Sequence, residues 1–264
     1  MAFALDLALQ NDGFNPDFFA HLAEVEQRHF WFVGRNDILR DVITGHFPSA
    51  GRFLEIGCGT GFVLSCIRSA FPQASLSGSD IFTESLAFAA KRVPDAFLFQ
   101  MDARHIPFHE EFDVIGAFDV LEHIDDDEMV LKQMYQACKP GGGVVLTVPQ
   151  HRWLWSHVDD FAHHKRRYTR AELVEKAARA GFRAEYATSF VSLLLPLMLA
   201  SRWLKKSGVD MDEQMEAVGL KVGKLTNAVL GAVMRIERRL INLGLSLPFG
   251  GSLLLVARKP ESRK

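Results

Sequence analysis

The segment Leu54-Glu55-Ile56-Gly57-Cys58-Gly59-Thr60-Gly61 constrains the fold more than any other. A short apolar run leads into glycines at alternate positions, and a helical pattern begins directly behind them. Glycine permits positive φ and lets a ligand approach the main chain closely. The free N–H groups of the following helix favour an electronegative group. From here the chain keeps alternating: strands are expected over 52–56, 75–79, 96–101, 112–118, 143–148, 182–191 and 252–257. Helical patterns over 61–70, 83–92 and 126–138 lie between them, and Thr169 with Glu172 forms a capping box for another that ends at Gly181. Such alternation implies right-handed crossovers and a largely parallel, doubly wound α/β sheet with helices on both faces.

Composition narrows the class. The 264 residues are 48% hydrophobic and 23% charged, with a formal net charge of −2. A disordered chain would be poorer in apolar residues, and a nucleic-acid binder acting by bulk charge would be basic. Cys58, Cys66 and Cys138 form no disulfide framework, so a reducing, cytoplasmic setting is expected. The opening MAFALDLALQ has no basic region ahead of its apolar residues and does not read as a signal peptide. The longest apolar run, 190–204, is broken by Pro196 and Arg202 and falls short of the ~20 residues of a membrane span.

Residues 15–47 read as two helical pieces. Asn15-Pro16 supplies a cap, and Phe18, Phe19, Leu22 and Val25 follow at helical spacing. The aromatic cluster His29-Phe30-Trp31-Phe32 follows, and a second helix is expected from Arg35 to Phe47.

The glycine spacing is G-x-G-x-G, not the G-x-G-x-x-G of dinucleotide folds, and an acidic residue, Asp80, ends the second strand where ribose hydroxyls would be held. Together, Glu55–Gly61, Asp80, Asp102-Ala103, Phe118-Asp119-Val120-Leu121-Glu122-His123 and Lys139-Pro140-Gly141-Gly142-Gly143 resemble, in order, the motif set of class I S-adenosylmethionine (SAM)-dependent methyltransferases. The resemblance covers roughly residues 50–190 and implies a seven-stranded Rossmann-like sheet with SAM as cofactor and S-adenosylhomocysteine as product. It implies that the backbone at Gly57, Gly59 and Gly61 passes the methionine portion and that Asp80 accepts from both ribose hydroxyls. Asp102 would accept from the adenine amine, Ala103 would give its N–H to the ring, and the Phe118 carbonyl would receive the amino group. Glu55 either touches SAM or braces the loop as a carboxylate cap. Arg35 either pairs with the SAM carboxylate, as in the N-terminal cap of small-molecule methyltransferases, or is an exposed helix arginine beside a packed Trp31.

Methyl transfer to a hydroxyl needs a nearby base, and two places supply candidates. His123 follows the fourth strand, and His163 belongs to the loop His157-Val158-Asp159-Asp160-Phe161-Ala162-His163-His164 after the fifth. A vicinal His pair matches no zinc spacing, so no metal is expected. Lys165-Arg166-Arg167 reads as a solvated basic run, or as a partner for an acceptor phosphate. The acceptor is expected to be a small or lipid-linked molecule, glycan-bearing ones included, methylated on oxygen or nitrogen. DNA is not expected, because Asp119-Val120-Leu121-Glu122 stands where base methyltransferases carry an Asn/Asp-Pro-Pro-Tyr/Phe tetrapeptide. A SAM-binding regulator or partner subunit on the same fold is the alternative, and an NAD-dependent oxidoreductase is disfavoured by the glycine spacing.

The expected division is a helical cap over 1–50, a SAM-binding core over 51–191, a helical insertion over 192–249 and the last strand with its tail over 250–264. In the family the last two strands form a tight hairpin, whereas here the 192–249 insertion separates them, with eight Lys/Arg against five Asp/Glu. Val222, Leu225, Val229, Val233, Ile236, Leu240 and Ile241 fall on one helical face. Three readings of the insertion stay open: a lid on the acceptor pocket, a homodimer interface, or an element whose 192–206 stretch rests on the inner face of a membrane.

Overall fold

A computed structural model describes residues 1–4, 6–7, 18–204 and 222–261. The expected cap at Asn15-Pro16 and part of the 192–206 stretch lie outside the described residues. In chain order the elements are α1 (Phe18–Val25), α2 (Phe30–His46), β1 (Arg52–Ile56), α3 (Phe62–Ala70), β2 (Ser75–Asp80), α4 (Thr83–Arg92), β3 (Phe97–Gln100) and β4 (Phe112–Phe118). They continue with α5 (Asp127–Ala137), β5 (Cys138–Pro149), α6 (His157–Phe161), α7 (Arg170–Arg179), β6 (Arg183–Phe190), α8 (Leu195–Leu204), α9 (Lys224–Asn242) and β7 (Ser252–Arg258).

The seven strands form one sheet in the order β3-β2-β1-β4-β5-β7-β6. All neighbours pair in parallel except β7, which runs antiparallel to both β5 and β6. Strand order reverses between β1 and β4, and ligands of open α/β sheets bind at the carboxyl ends beside such a reversal. Successive side chains alternate between faces. Leu54, Ile115, Leu146 and Leu255 join one core under α5 and α7, while Phe53, Val114, Val145 and Leu254 join the other under α2, α3 and α9. Because both faces are covered, the strands read as continuous apolar runs.

Two local expectations change. The second helix starts at Phe30, not Arg35, because the His29 side chain caps it by accepting the Trp31 N–H at 3.3 Å. The aromatic cluster is therefore the first turn of α2. The apolar face assigned to α9 is also split: Ile241 is buried while Leu225, Val229 and Ile236 are exposed, and Met234, which lies outside that face, is buried as well. Helix α9 packs along α2, where Gly34 lies so close to Met234 that a Cβ would meet its Cβ at 2.9 Å. Arg238 binds Asp41 at 2.6 Å and Asp37 at 3.1 Å, and Asn227 accepts the Phe30 N–H at 2.8 Å. The Thr169–Glu172 capping box forms as expected at the start of α7. Among the described residues no helix is long and apolar enough to cross a membrane.

Candidate functional site at the carboxyl edge of the sheet

Gly57 takes φ +68°, and an added Cβ would sit 2.4 Å from Val120 Cγ2. The glycine there lets the β1 turn lie against the turn after β4. Gly59, at φ +51°, has nothing within 4 Å of the corresponding position, so its bare face looks into open space. Its N–H donates to Asp80 Oδ2 at 2.8 Å, and the Phe82 N–H donates to Oδ1 at 3.0 Å. The Asp80 carboxylate therefore holds the glycine loop and the start of α4 together at the end of β2. Burial pushes its pKa up, against those hydrogen bonds.

Glu55 is buried on β1. It accepts the Leu64 N–H in the first turn of α3, a helix whose cap, Gly61, has no side chain to offer. This contact braces the start of α3, and the Glu55 Oε2 keeps no hydrogen-bond partner. Burial drives this carboxyl well above the usual range, and the nearby Arg35 charge opposes the shift. Arg35 is not an exposed helix arginine. Its side chain is 11% exposed, donates to Asp119 Oδ2 at 2.7 Å and lies 4.7 Å over the Trp31 ring. Asp119 follows Phe118 at φ +59° and donates its N–H to the Thr147 carbonyl, which turns the chain sharply off β4. Asp102 is buried beside Ala103. Burial raises its pKa, but the Arg104 guanidinium, gripping both carboxylate oxygens at 2.8–3.0 Å, leaves it lowered.

Two residues that the sequence reading passed over, Glu26 and Arg92, close this edge through Thr60 of the glycine loop. Glu26, just beyond α1, accepts the Thr60 hydroxyl at 2.7 Å and pairs with Arg92 of α4, and Arg92 also donates to the Thr60 carbonyl at 3.0 Å. Phe19 packs on Phe82 and Phe18 on Phe161, with centroids 5.9 and 5.7 Å apart. Helix α1 thus spans from the glycine loop to the α6 segment as a roof. The one sequence signal was an acid at the end of an apolar helical stripe.

The two predicted bases part company. His163 is exposed on its loop at φ +55°. His123 lies in a single 3₁₀ turn, Leu121–His123, with its ring packed edge-on against His164 at 4.9 Å. It donates to the Ala162 carbonyl, and burial, then the neighbouring His164 and His163, lower its pKa to about 4. The residue brought to His123 is His164, whose Nδ1 lies 2.9 Å from Asp159 Oδ1. Arg167 also binds Asp159, at 2.7 Å, and donates to the Gln150 carbonyl at 3.0 Å. Arg167 is buried and Arg166 pairs with Asp127 at 3.2 Å, so two of the three basic side chains anchor the loop while Lys165 stays exposed. Asp159 is buried, which raises its pKa, but the His164 and Arg167 hydrogen bonds hold it near 2.

A seven-stranded sheet in this order, with its glycine loop, a buried acid ending β2 and an antiparallel β7, is the fold of class I SAM-dependent methyltransferases. The chain belongs to the methyltransferase domain family, whose match covers residues 26–187. It is 31% identical over 106 residues to a trans-aconitate 2-methyltransferase of Variovorax paradoxus, covering 40% of this chain and 41% of that one. It is 35% identical over 103 residues to a phosphatidylethanolamine N-methyltransferase of Cereibacter sphaeroides, covering 36% and 49%. The matches thus span less than half the length of these two curated relatives. Among solved structures, the phosphoethanolamine N-methyltransferase 2 of Haemonchus contortus in complex with SAM shares the fold at a TM-score of 0.56 and 21% identity, over 83% of this chain and 51% of that one.

Proposed function

We propose that this protein is an enzyme that binds SAM at the carboxyl ends of β1, β2 and β4 and directs its methyl group to an oxygen or nitrogen of a small-molecule or lipid-linked acceptor. The observation that carries the reading is Asp80, a buried carboxylate that ends β2 beside the open face of Gly59. The donor set fits the cofactor: three positive-φ glycines, a carboxylate at the end of β2 and an arginine of α2 that reaches Asp119 after β4 with its Nε unpartnered. Bound SAM supplies an electrophilic methyl carbon, whose bond to sulfur breaks with the electron pair left on sulfur as S-adenosylhomocysteine forms.

The chain's residues bind and orient. Gly57, Gly59 and Gly61 present backbone to the methionine portion, and the Phe118 carbonyl receives its amino group. Arg35, held by Asp119, faces its carboxylate. Asp80 takes the ribose hydroxyls. Asp102 takes the adenine amine once Arg104 yields an oxygen, with the Ala103 N–H on the ring. Glu55 stays the brace of α3. His123, neutral at pH 7, accepts the acceptor's proton, and His163 is the second candidate on the rim of the same edge. Helices up to residue 50 act as the cap, 51–191 with the last strand as the core, and 192–249 as the variable element.

The finer acceptor reading rests on that variable element. Leu193, Leu197, Leu225, Val229, Leu243 and Phe249 are all exposed by more than 40%. Exposed apolar side chains of this kind suit a lipid-linked acceptor met at a membrane face. A second copy of the chain on the same surface is the competing reading, and flotation with anionic vesicles separates the two.

Calorimetric titration with SAM, S-adenosylhomocysteine and NAD tests the cofactor. The first two should bind and NAD should not. Asp80→Ala should weaken both by about 1.5–3 kcal/mol, the value of a hydrogen bond to a charged group. Unchanged affinity in that variant, with the fold retained, would overturn the ribose assignment. Binding without methyl transfer across an acceptor screen would favour a SAM-binding regulator.

A further inference from the structure

Glu122 is fully buried, and its own backbone N–H aside, neither carboxylate oxygen meets a hydrogen-bond donor. A buried carboxylate left in this state is costly. What it faces is a pair of imidazoles. One ligand atom each from Glu122, His123 and His164 lies within 4.8 Å of the other two, and His164 Nε2 is 4.0 Å from Glu122 Oε1. The rings are held from behind. His164 Nδ1 is fixed by Asp159 at 2.9 Å, and Asp159 is itself anchored by Arg167. His123 donates to the Ala162 carbonyl. A carboxylate or carbonyl on the far nitrogen is the outer-shell arrangement that orients metal-binding histidines. The loop that carries His164 is tied to the same turn by the Lys165 N–H, which donates to the Glu122 carbonyl at 2.7 Å.

We propose that Glu122, His123 and His164 form a binding site for one divalent transition-metal cation. Two imidazoles and one carboxylate suit zinc, manganese, iron(II) or cobalt(II) better than magnesium or calcium, which prefer oxygen donors. Closing on an ion with bonds of about 2.1 Å brings ligand atoms to roughly 3.4 Å apart, a contraction within reach of side-chain rotation. Three protein ligands leave open positions, and the cluster lies at the turn after β4, on the carboxyl edge of the sheet. An acceptor hydroxyl, enolate or carboxylate oxygen would fill one. In that state His123 would be a ligand, and the cation would lower the acceptor's pKa so that its proton passes to water rather than to an imidazole base. That use of the site rests on the methyltransferase reading; cation binding does not.

The sequence pointed away from metal because it paired His163 with His164. The fold pairs His164 with Glu122 and His123, some forty residues earlier in the chain.

The test is a titration of tag-free, chelator-treated protein with cobalt(II), followed by its visible absorption, without SAM or acceptor. One equivalent should bind with at least micromolar affinity, show no sulfur-to-cobalt charge-transfer band and be displaced by one equivalent of zinc. His164→Ala and Glu122→Gln should each weaken binding about 100-fold or more, and Asp159→Asn, which removes no ligand, about 10- to 100-fold. Near-ultraviolet circular dichroism checks each fold, and His123→Gln serves if one of the others fails to fold. Absence of a bound equivalent in the wild type, or unchanged affinity in the folded ligand variants, overturns the proposal. Cobalt binding in a protein that ignores S-adenosylhomocysteine would sustain the cation site while removing the methyltransferase reading.

Discussion

Replacing Glu26 with glutamine should loosen the roof over the cofactor edge, and the size of the effect follows from the contacts. The Glu26 and Arg92 side chains are 6% and 15% exposed, so their pair is screened little by solvent. Removing one partner of a buried pair costs about 3–5 kcal/mol. Two features reduce that here. Glutamine keeps an amide oxygen for the Thr60 hydroxyl, and Arg92 keeps the Thr60 carbonyl at 3.0 Å and hydroxyl at 2.8 Å. We therefore expect about 2 kcal/mol, a factor of roughly 30 in the ratio of docked to undocked α1. Because the other α1 contacts, Phe18 on Phe161 and Phe19 on Phe82, are apolar packing onto separate segments, undocking should stay local. Amide exchange in α1 should speed up by about that factor while β1 and β4 keep their protection, and release of S-adenosylhomocysteine in stopped flow should accelerate with it. Unchanged exchange in α1 would refute the claim that Glu26 holds the helix. Faster exchange with unaltered release would refute its role as a roof.

Two further outcomes test the frame beneath the site. Gly57→Ala should cost about 2–4 kcal/mol in urea denaturation, from the left-handed backbone and the 2.4 Å approach to Val120 Cγ2; adding Val120→Ala should recover about 1–2 kcal/mol, and strictly additive costs would show that the predicted clash is absent. Asp127 is buried, which raises its pKa, but Lys176 at 2.5 Å and the Tyr168 hydroxyl at 2.7 Å leave it lowered. A depressed folded pKa stabilises above the unfolded value near 3.9, and the benefit is lost as pH falls through the folded value. The wild type should thus exceed Asp127→Asn by roughly 2–4 kcal/mol from pH 8 to 5, with the gap closing below about pH 4; a gap that persists at low pH would contradict the ion-pair account.

Much of the fold was legible because its signals are local. The bounds of β1 and β4 match the expected strands, since both lie in the doubly covered centre of the sheet and read as short apolar runs. Strand β5 begins at Cys138, earlier than expected, because Cys138 pairs with Phe112 before the register shifts between Phe112 and Val114, across a stretch in which Gly141 takes φ +77°. The α2 boundary was misplaced because aromatic residues look like a linker until a histidine cap is seen. On α9 periodicity identified a helix but not its buried side, since Arg238 and Asn227 lock the helix to α2 by polar contacts that hydrophobic spacing does not register.

What the sequence by itself determined was the glycine turn, the acid at the end of β2 and the positions of the strands along the chain. Each depends on backbone conformation within a few residues, where glycine, capping and alternation act directly. Only the tertiary structure decided that Glu26 reaches Thr60 and Arg92, that Arg35 meets Asp119, and that His164 rather than His163 stands beside Glu122 and His123. These pairings join segments 34 to 84 residues apart in the first two cases, and about forty in the last. They arise because parallel crossovers bring the carboxyl ends of several strands to one edge. No local rule states which loop residue will face which, since that is set by how the helices pack on the two faces of the sheet.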